Sequence, residues 1–329
     1  MKADLLSLES YNYELDPERI AQFPVSPRDS SRLLVLSREH KHFEDSIFRN
    51  LPDYLQAGDL LVLNQTKVIP ARVLLERGEI LFVREVEESC WDCLVFPGKN
   101  FKPGAVFKIA SMDAEVLAQS KIGRLLRIRG DVRSLLQKIG KVPLPPYIER
   151  EAGASDAKQY QTVYARHPGS IAAPTAGMHF TRNLLKRLKD RGISICKITL
   201  HVGPGTFRPV KTQDVTRHTI DPEYYSCSPA VWERIAHANR IIAVGTTTTR
   251  AIETIAVTNE KKGYSNLFIY PGHRFQIVQG LITNFHLPKS SLLMLVSAFA
   301  GYDLTRAAYR HAVKNDYRFY SYGDAMLIL

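Results

Sequence analysis

The chain has 329 residues, which at ~150 residues per domain suggests about two domains and excludes a single very small one. Hydrophobic residues at 45% and charged residues at 23% are globular averages, so wholesale disorder is excluded and a core needs no disulfide or metal staple. Lys and Arg outnumber Asp and Glu by 44 to 33, and the balance of +11 favours a polyanionic partner, either nucleic acid or an acidic membrane surface.

The first fifteen residues hold one lysine and no apolar run of signal length, so the chain is expected to remain in the cytoplasm. Buried strands are predicted at 33–36 and 60–63. From Arg72 to about Gln159 the texture changes: short β-like runs at 79–86, 90–96, 105–110, 114–118 and 124–129 alternate with Gly, Pro, Ser and Lys, the spacing of a small barrel or sandwich. A helix over 132–139 ends at Gly140, Pro143, Pro145 and Pro146 stiffen the return, and the polar stretch 149–160 reads as a mobile loop. Helices and buried strands then alternate. Thr181 caps a helix with Leu184, Leu185 and Leu188 on one face and Gly192 as its stop, and a strand follows over 193–201. Ser228 and Pro229 open a helix that turns Trp232 and Ile235 inward; the buried run 241–244 meets a Gly-Thr turn and a helix from Arg250. Strands at 267–270 and 281–283 and an apolar helix near Ser291 complete the pattern. The apolar stretch 292–300 is far shorter than the ~20 residues of a membrane span, so none is expected. The fold class predicted is α/β: a discontinuous α/β domain from 1–71 and 159–329, with a small β-barrel domain, 72–158, inserted into it and joined by the Pro-rich return.

The four cysteines are too scattered for a disulfide framework. Cys90 and Cys93 form a CxxC, but with neither a second ligand pair nor a helix start beside it, this reads as a strand running into the turn at Pro97. Gly245-Thr-Thr-Thr-Thr-Arg250 follows a strand and precedes a helix, so it either cradles an anion or only satisfies its own backbone donors. Arg250 suits a carboxylate or phosphate. His201-Val-Gly-Pro-Gly-Thr206 is not a dinucleotide fingerprint, yet its glycines let backbone approach a ligand, a tight turn being the alternative. His179 in Ala173-Pro-Thr175-Ala-Gly177-Met-His179 and His286 in Asn284-Phe-His-Leu-Pro288 are each either packed residues or, with His201, groups for proton transfer near neutral pH. No metal is expected, because helical HxxxH spacing and a matching carboxylate pattern are absent. Near the end, Tyr309, Arg310, His311, Lys314, Tyr317, Arg318, Phe319, Tyr320 and Tyr322 interleave rings with cations, which suits unpaired RNA bases and phosphates and equally suits a helix followed by a half-buried strand.

Taken in order, the motifs resemble the S-adenosylmethionine:tRNA ribosyltransferase-isomerase family of queuosine biosynthesis. The matching segments are Arg28-Asp-Ser-Ser-Arg32, Asp59-Leu-Leu-Val-Leu-Asn64, Ile69-Pro-Ala-Arg72, Pro143-Leu-Pro-Pro-Tyr-Ile148 and Tyr160-Gln-Thr-Val-Tyr164. They continue with Ala172-Ala-Pro-Thr-Ala-Gly177, Thr199-Leu-His-Val-Gly203, Phe268-Ile-Tyr-Pro-Gly272, Thr283-Asn-Phe-His-Leu-Pro288, Met294-Leu-Val-Ser-Ala-Phe-Ala-Gly301 and Ser321-Tyr-Gly-Asp-Ala-Met326. Two features depart from the family pattern: the compressed hairpin at Arg77-Gly78-Glu79, and Thr248-Thr249 where Ser-Val is more usual. The resemblance implies an α/β domain with an inserted β-barrel. It also implies transfer and isomerisation of the ribosyl group of S-adenosylmethionine onto 7-aminomethyl-7-deazaguanine at the tRNA wobble position, giving epoxyqueuosine-tRNA, adenine and methionine. S-adenosylmethionine is then a consumed co-substrate, no metal or organic cofactor is implied, and the expected partners are tRNA and no membrane, with the chain a monomer.

A sulfonium acidifies the adjacent C5′ hydrogens, so a base near neutral pKa can start the rearrangement. Candidates for that base are His179, His201 and His286. Thr247 and Arg250 are candidates for the methionine carboxylate, Asp324 for the ribose or the substrate amine, and Tyr320 or Tyr322 for the sulfonium. Thr175, Asn284 and Arg318 complete the candidate substrate-binding set. The competing readings are a non-catalytic RNA-binding protein and an S-adenosylmethionine-dependent RNA methyltransferase, the latter disfavoured by the lack of a GxGxG loop after an early strand.

Overall fold

The computed structural model describes residues 4–207 and 209–329. Near the N-terminus β1 (Arg32–Ser37) pairs antiparallel with β2 (His42–Ile47), and β3 (Asp59–Asn64) is buried along its whole length. The short β4 (Thr66–Val68) leads into β5 (Arg72–Leu75), β6 (Gly78–Glu87), β7 (Cys90–Phe96), β8 (Val106–Ile109), β9 (Met112–Gln119) and β10 (Arg124–Ile128). After these come α1 (Val132–Ile139), α2 (Asp156–Gln159), β11 (His167–Ser170), α3 (Arg182–Asp190), β12 (Ser194–Leu200), β13 (Glu223–Ser226) and α4 (Pro229–Ala236). The chain closes with β14 (Arg240–Val244), α5 (Thr246–Thr258), β15 (Lys262–Ser265), β16 (Gly280–Asn284), α6 (Ser291–Ala300), α7 (Tyr302–Lys314) and β17 (Ala325–Ile328).

The architecture is mixed α/β. A nine-stranded sheet in the order β15-β13-β12-β3-β14-β16-β17-β1-β2 draws its strands from both sides of the β5–β10 segment. Its middle strands β12, β3, β14 and β16 are parallel, which calls for cover on both faces. Strand periodicity supplies it: Leu34, Leu36, Leu60 and Val62 point into one core layer, and Leu33, Val35, Leu61 and Leu63 into the other. Strands β5 to β10 form a second, antiparallel sheet in the order β5-β6-β7-β10-β9-β8, so β5 and β8 stand at its two ends and are not paired with each other. Its separate core gathers Ile80, Phe82, Trp91 and Leu126 beneath Val132, Leu135 and Leu136 of α1.

Local signals hold where a side chain satisfies a helix end. Thr181 Oγ1 accepts the Leu184 N–H at 3.0 Å and Ser228 Oγ the Val231 N–H at 3.3 Å. Ile235 is buried and Trp232 packs partly buried against the same core. Cys90 and Cys93 lie buried on β7, and burial pushes both thiols up, away from reactivity.

Three expectations are corrected, and one open alternative, that of the terminal rings, is decided. The helix expected from Arg250 starts at Thr246; its threonines are β-branched, but Thr248 and Thr249 donate their hydroxyls to the carbonyls of Val244 (2.7 Å) and Gly245 (3.2 Å) and so tolerate burial. Residues 267–270 form no strand; the Leu267 carbonyl accepts from the Arg250 guanidinium at 2.9 Å. The terminal rings are not a surface array: Tyr309, Tyr317, Phe319, Tyr320 and Tyr322 are all buried.

Finally, the segment expected to be a mobile loop is anchored by α2. Asp156, fully buried, accepts from Arg150 at 2.7 and 2.8 Å, from the Gly153 N–H at 2.8 Å and from the Tyr322 hydroxyl at 3.1 Å. The Arg150 hydrogen bonds hold its carboxyl below the ordinary range. Asp156→Asn is expected to lower the unfolding free energy by about 2–3 kcal/mol in urea melts. Because the folded pKa is depressed, that difference is fully present above the unfolded carboxylate pKa and shrinks as pH falls through the folded one.

Candidate active site

A cleft of about 1340 Å³ separates the two sheets. Arg84, Trp91, Lys121 and Arg133 line one wall; His201, Glu223, Arg250, Tyr264 and Phe268 line the other. The loop after β12 is fixed to this second wall by a carboxylate that no sequence motif singles out. Glu223 accepts the Gly203 N–H at 2.9 Å and the Thr206 hydroxyl at 3.1 Å through Oε1, and Oε2 receives Arg250 Nη1 at 2.8 Å. Both side chains of the ion pair are about 95% buried, at 4% and 5% exposure. Arg250 also donates to the carbonyls of Leu267 (2.9 Å) and Ser265 (3.4 Å). The guanidinium expected to hold a substrate carboxylate is thus engaged by Glu223 and two carbonyls, and is linked to the Gly203–Thr206 segment through Glu223.

A smaller pocket of about 60 Å³ adjoins the cleft, sharing Val202, Thr206 and Leu292 with it. Here the structure brings together five of the predicted residues, Thr175, Thr247, Asn284, His286 and Tyr320, with Tyr147 and Phe285. The N-terminus of α5 opens into it. Gly245 adopts φ 95°, a conformation glycine takes without strain, and provides no side-chain cap. The first-turn N–H groups of Thr246 and Thr247 therefore lack intrahelical acceptors and carry the positive end of the helix dipole. Asn284 donates from Nδ2 to the Tyr320 carbonyl at 3.0 Å and to His179 Nε2 at 3.1 Å, while its Oδ1 is buried without a partner, as is the Tyr320 hydroxyl. Buried polar atoms are nearly always paired, so two orphans in one pocket mark a place for ligand or water.

The three histidines differ. His179 Nδ1 is bonded to Ser31 Oγ at 2.7 Å and its Nε2 accepts from Asn284, with the ring stacked on Phe48. Burial, aided by Arg318 and Arg28, lowers its pKa to about 3. His286 bonds Thr283 through Nε2 at 2.7 Å, and burial likewise lowers its pKa to about 3. Such weakly basic rings are poor proton acceptors, and this counts against two of the three candidate bases. His201 is half-buried and lines the large cleft, with Nδ1 on Thr66 Oγ1 at 2.8 Å; burial first, then His167, lowers its pKa.

Arg318, Tyr322 and Asp324 lie behind the pocket. Asp324 accepts the backbone N–H groups of Arg32 (2.9 Å) and Arg318 (2.8 Å), one on each oxygen, and desolvation raises its pKa. Arg318 donates to the carbonyls of Phe23 and Tyr322, and the Tyr322 hydroxyl is held by Asp156. These three residues, expected at the substrate, are bonded to the turn around Tyr320, a residue at φ 71°. Among the described residues, no group of three or more His, Cys, Asp or Glu side chains is arranged to hold a metal ion, and no helix is long and apolar enough to cross a membrane.

Comparison with known proteins gives this geometry a family. The model of the queuosine biosynthesis protein family matches residues 8–328. The chain belongs to that family. It is 47% identical to the S-adenosylmethionine:tRNA ribosyltransferase-isomerase of Halothermothrix orenii, over 98% of this chain and 100% of the relative, and 49% identical to that of Thermosynechococcus vestitus, over 99% and 97%. Among solved structures it is similar to S-adenosylmethionine tRNA ribosyltransferase from Thermotoga maritima, with 39% identity, 97% and 100% coverage and a TM-score of 0.57.

In this member of the queuosine biosynthesis family, His201 is seated against a glycine. A Cβ at Gly169, where φ is +146°, would fall 2.8 Å from the His201 ring. Gly169→Ala is therefore expected to displace the imidazole and reduce turnover at least tenfold while circular dichroism stays that of the wild type. An unchanged rate would show that the ring position does not matter.

Proposed function

We propose that the chain acts as an S-adenosylmethionine:tRNA ribosyltransferase-isomerase, moving the ribosyl group of S-adenosylmethionine onto 7-aminomethyl-7-deazaguanine in tRNA and releasing adenine and methionine. The observation that carries this reading is the family match over residues 8–328, reinforced by relatives 47–49% identical over essentially their whole length. The alternatives, a non-catalytic RNA-binding protein and a methyltransferase, draw no support from these relatives.

In this reading, the methionine carboxylate of the donor meets the N–H groups of Thr246 and Thr247 at the start of α5, where backbone donors and dipole both favour an anion. Its ammonium meets Asn284 Oδ1, the orphaned acceptor of the same pocket. Tyr320 and Tyr147, with ring centroids 4.3 Å apart, and Phe285 offer π faces to the sulfonium, an attraction of ~0.5–2 kcal/mol. The nucleoside extends past Val202 and Thr206 toward the cleft, where His201 is the proposed base for a C5′ hydrogen. Thr175 shapes the pocket wall. Glu223, Arg250, Asp324, Arg318 and Tyr322 are positioning residues.

Residues 1–71 and 159–329 form the catalytic α/β domain and 72–158 an inserted small β domain, whose sheet stays open between β5 and β8 where a closed barrel would pair them; the separate core under α1 and the strand order support that division. The enzyme works as a cytoplasmic monomer, without metal or organic cofactor. Incubation with S-adenosylmethionine labelled in adenine, methyl and ribose, together with precursor tRNA, tests the reaction. Free adenine and ribose label in tRNA are expected; methyl label in tRNA with S-adenosylhomocysteine would indicate the methyltransferase, and tRNA retention with intact donor the binding protein.

A further inference from the structure

The aromatic residues of the C-terminus are buried and cannot stack on RNA, so the rings for unpaired bases lie elsewhere. They are found at the edge of the nine-stranded sheet. His201, Tyr224 and Tyr264 come from three neighbouring positions across it: Tyr224 pairs directly with Tyr264 in the β13–β15 ladder, and the His201 N–H donates to the Tyr224 carbonyl at 2.8 Å. Their rings run in a row, 5.7 Å from His201 to Tyr224 at 21° and 5.7 Å from Tyr224 to Tyr264 at 70°. The row begins at the proposed base, lines the large cleft and ends at Tyr264, which is 61% exposed. An exposed tyrosine at the outer end of an edge strand does nothing for the core.

The cleft it borders is electropositive. Seven Lys and Arg side chains line it against three carboxylates; Arg84, Arg133, Arg217 and Arg250 are held in ion pairs by Asp92, Glu85, Asp214 and Glu223, and Lys67, Lys121 and Lys211 supply the rest of the positive charge. Cations facing a row of sheet-borne rings suit single-stranded RNA, whose phosphates meet the charges while splayed bases lie on the rings. We infer that the His201–Tyr224–Tyr264 row is the stacking platform for anticodon-loop nucleotides next to the modified base, with Lys121 on the facing wall neutralising a phosphate. The inference rests on the proposed tRNA activity and adds which wall grips the loop and in which direction. Bases enter over Tyr264, and the target lies at the His201 end, nearest the donor pocket.

The test is anisotropy with a labelled anticodon stem-loop carrying 7-aminomethyl-7-deazaguanine, alongside steady-state kinetics on full-length precursor tRNA. Tyr264→Ala is expected to weaken stem-loop binding about tenfold and to raise KM for tRNA similarly, with KM for S-adenosylmethionine unmoved. Tyr264→Phe keeps the π face and restores wild-type affinity. Lys121→Glu weakens binding and flattens its salt dependence. Wild-type affinity in Tyr264→Ala overturns the inference, and so does failure of Tyr264→Phe to restore binding, which would indicate a hydroxyl contact in place of stacking. If the wild-type protein itself neither binds the stem-loop nor releases adenine, it is the proposed activity that fails; if it does both and Tyr264→Ala does the same, only the platform fails.

Discussion

His201→Gln is expected to lower kcat by about 10²–10⁴-fold at saturating S-adenosylmethionine and tRNA, the usual range for loss of a general base. Glutamine keeps a hydrogen bond to Thr66 within reach and fills similar space, so the loss is one of proton transfer more than of packing. The pH profile separates the two. The base must be unprotonated to act, and burial lowers the His201 pKa below its ordinary value. In the wild type, activity therefore falls on the acid side only below the usual imidazole range, and this limb disappears in His201→Gln. His179→Gln is expected to retain the limb, because both nitrogens of that ring are already engaged, by Ser31 and Asn284. Its effect falls on stability through Ser31, Phe48 and Asn284. A limb lost in His179→Gln and kept in His201→Gln would reverse the assignment.

Glu223→Ala is expected to destabilise the protein by about 3–5 kcal/mol, since it leaves the Arg250 guanidinium buried without its counter-charge. The Gly203 N–H and Thr206 hydroxyl lose their acceptor in the same change. The loop between cleft and pocket is thereby released, so KM for S-adenosylmethionine should rise in whatever protein remains folded. Replacing the pair together, as Glu223→Gln with Arg250→Met, removes the stranded charge and should recover part of the stability but not the KM. Denaturant melts at one pH and initial-rate kinetics read both effects. A single variant as stable as the wild type would show that the ion pair contributes nothing to the fold.

The strands of the second sheet were legible because each run is short, β-rich and bounded by turn residues; those expected at 79–86 and 90–96 are found as β6 and β7. Thr181 and Ser228 were legible as caps because capping is decided within three residues. The start of α5 was not, because four threonines disfavour a helix locally and their burial and back-bonding to the Val244 and Gly245 carbonyls offset that. Long-range partnerships were hidden for a different reason. Nothing near Glu223 in sequence announces Arg250, 27 residues on, and nothing near Asp324 announces the Arg32 N–H that it accepts across 292 positions. The same holds for the histidines. The sequence offered three equivalent imidazoles, and only burial and bonding at each nitrogen separate His201 from His179 and His286.

The most direct measurement is a structure of the protein holding both S-adenosylmethionine and the anticodon stem-loop. The account predicts the donor carboxylate within hydrogen-bonding distance of the Thr246 or Thr247 N–H, its C5′ facing His201, and the modified base in the cleft on the His201 side of the Gly203–Thr206 loop. A donor whose amino-acid end lies away from the start of α5, or a modified base on the opposite side of the nine-stranded sheet, would contradict it.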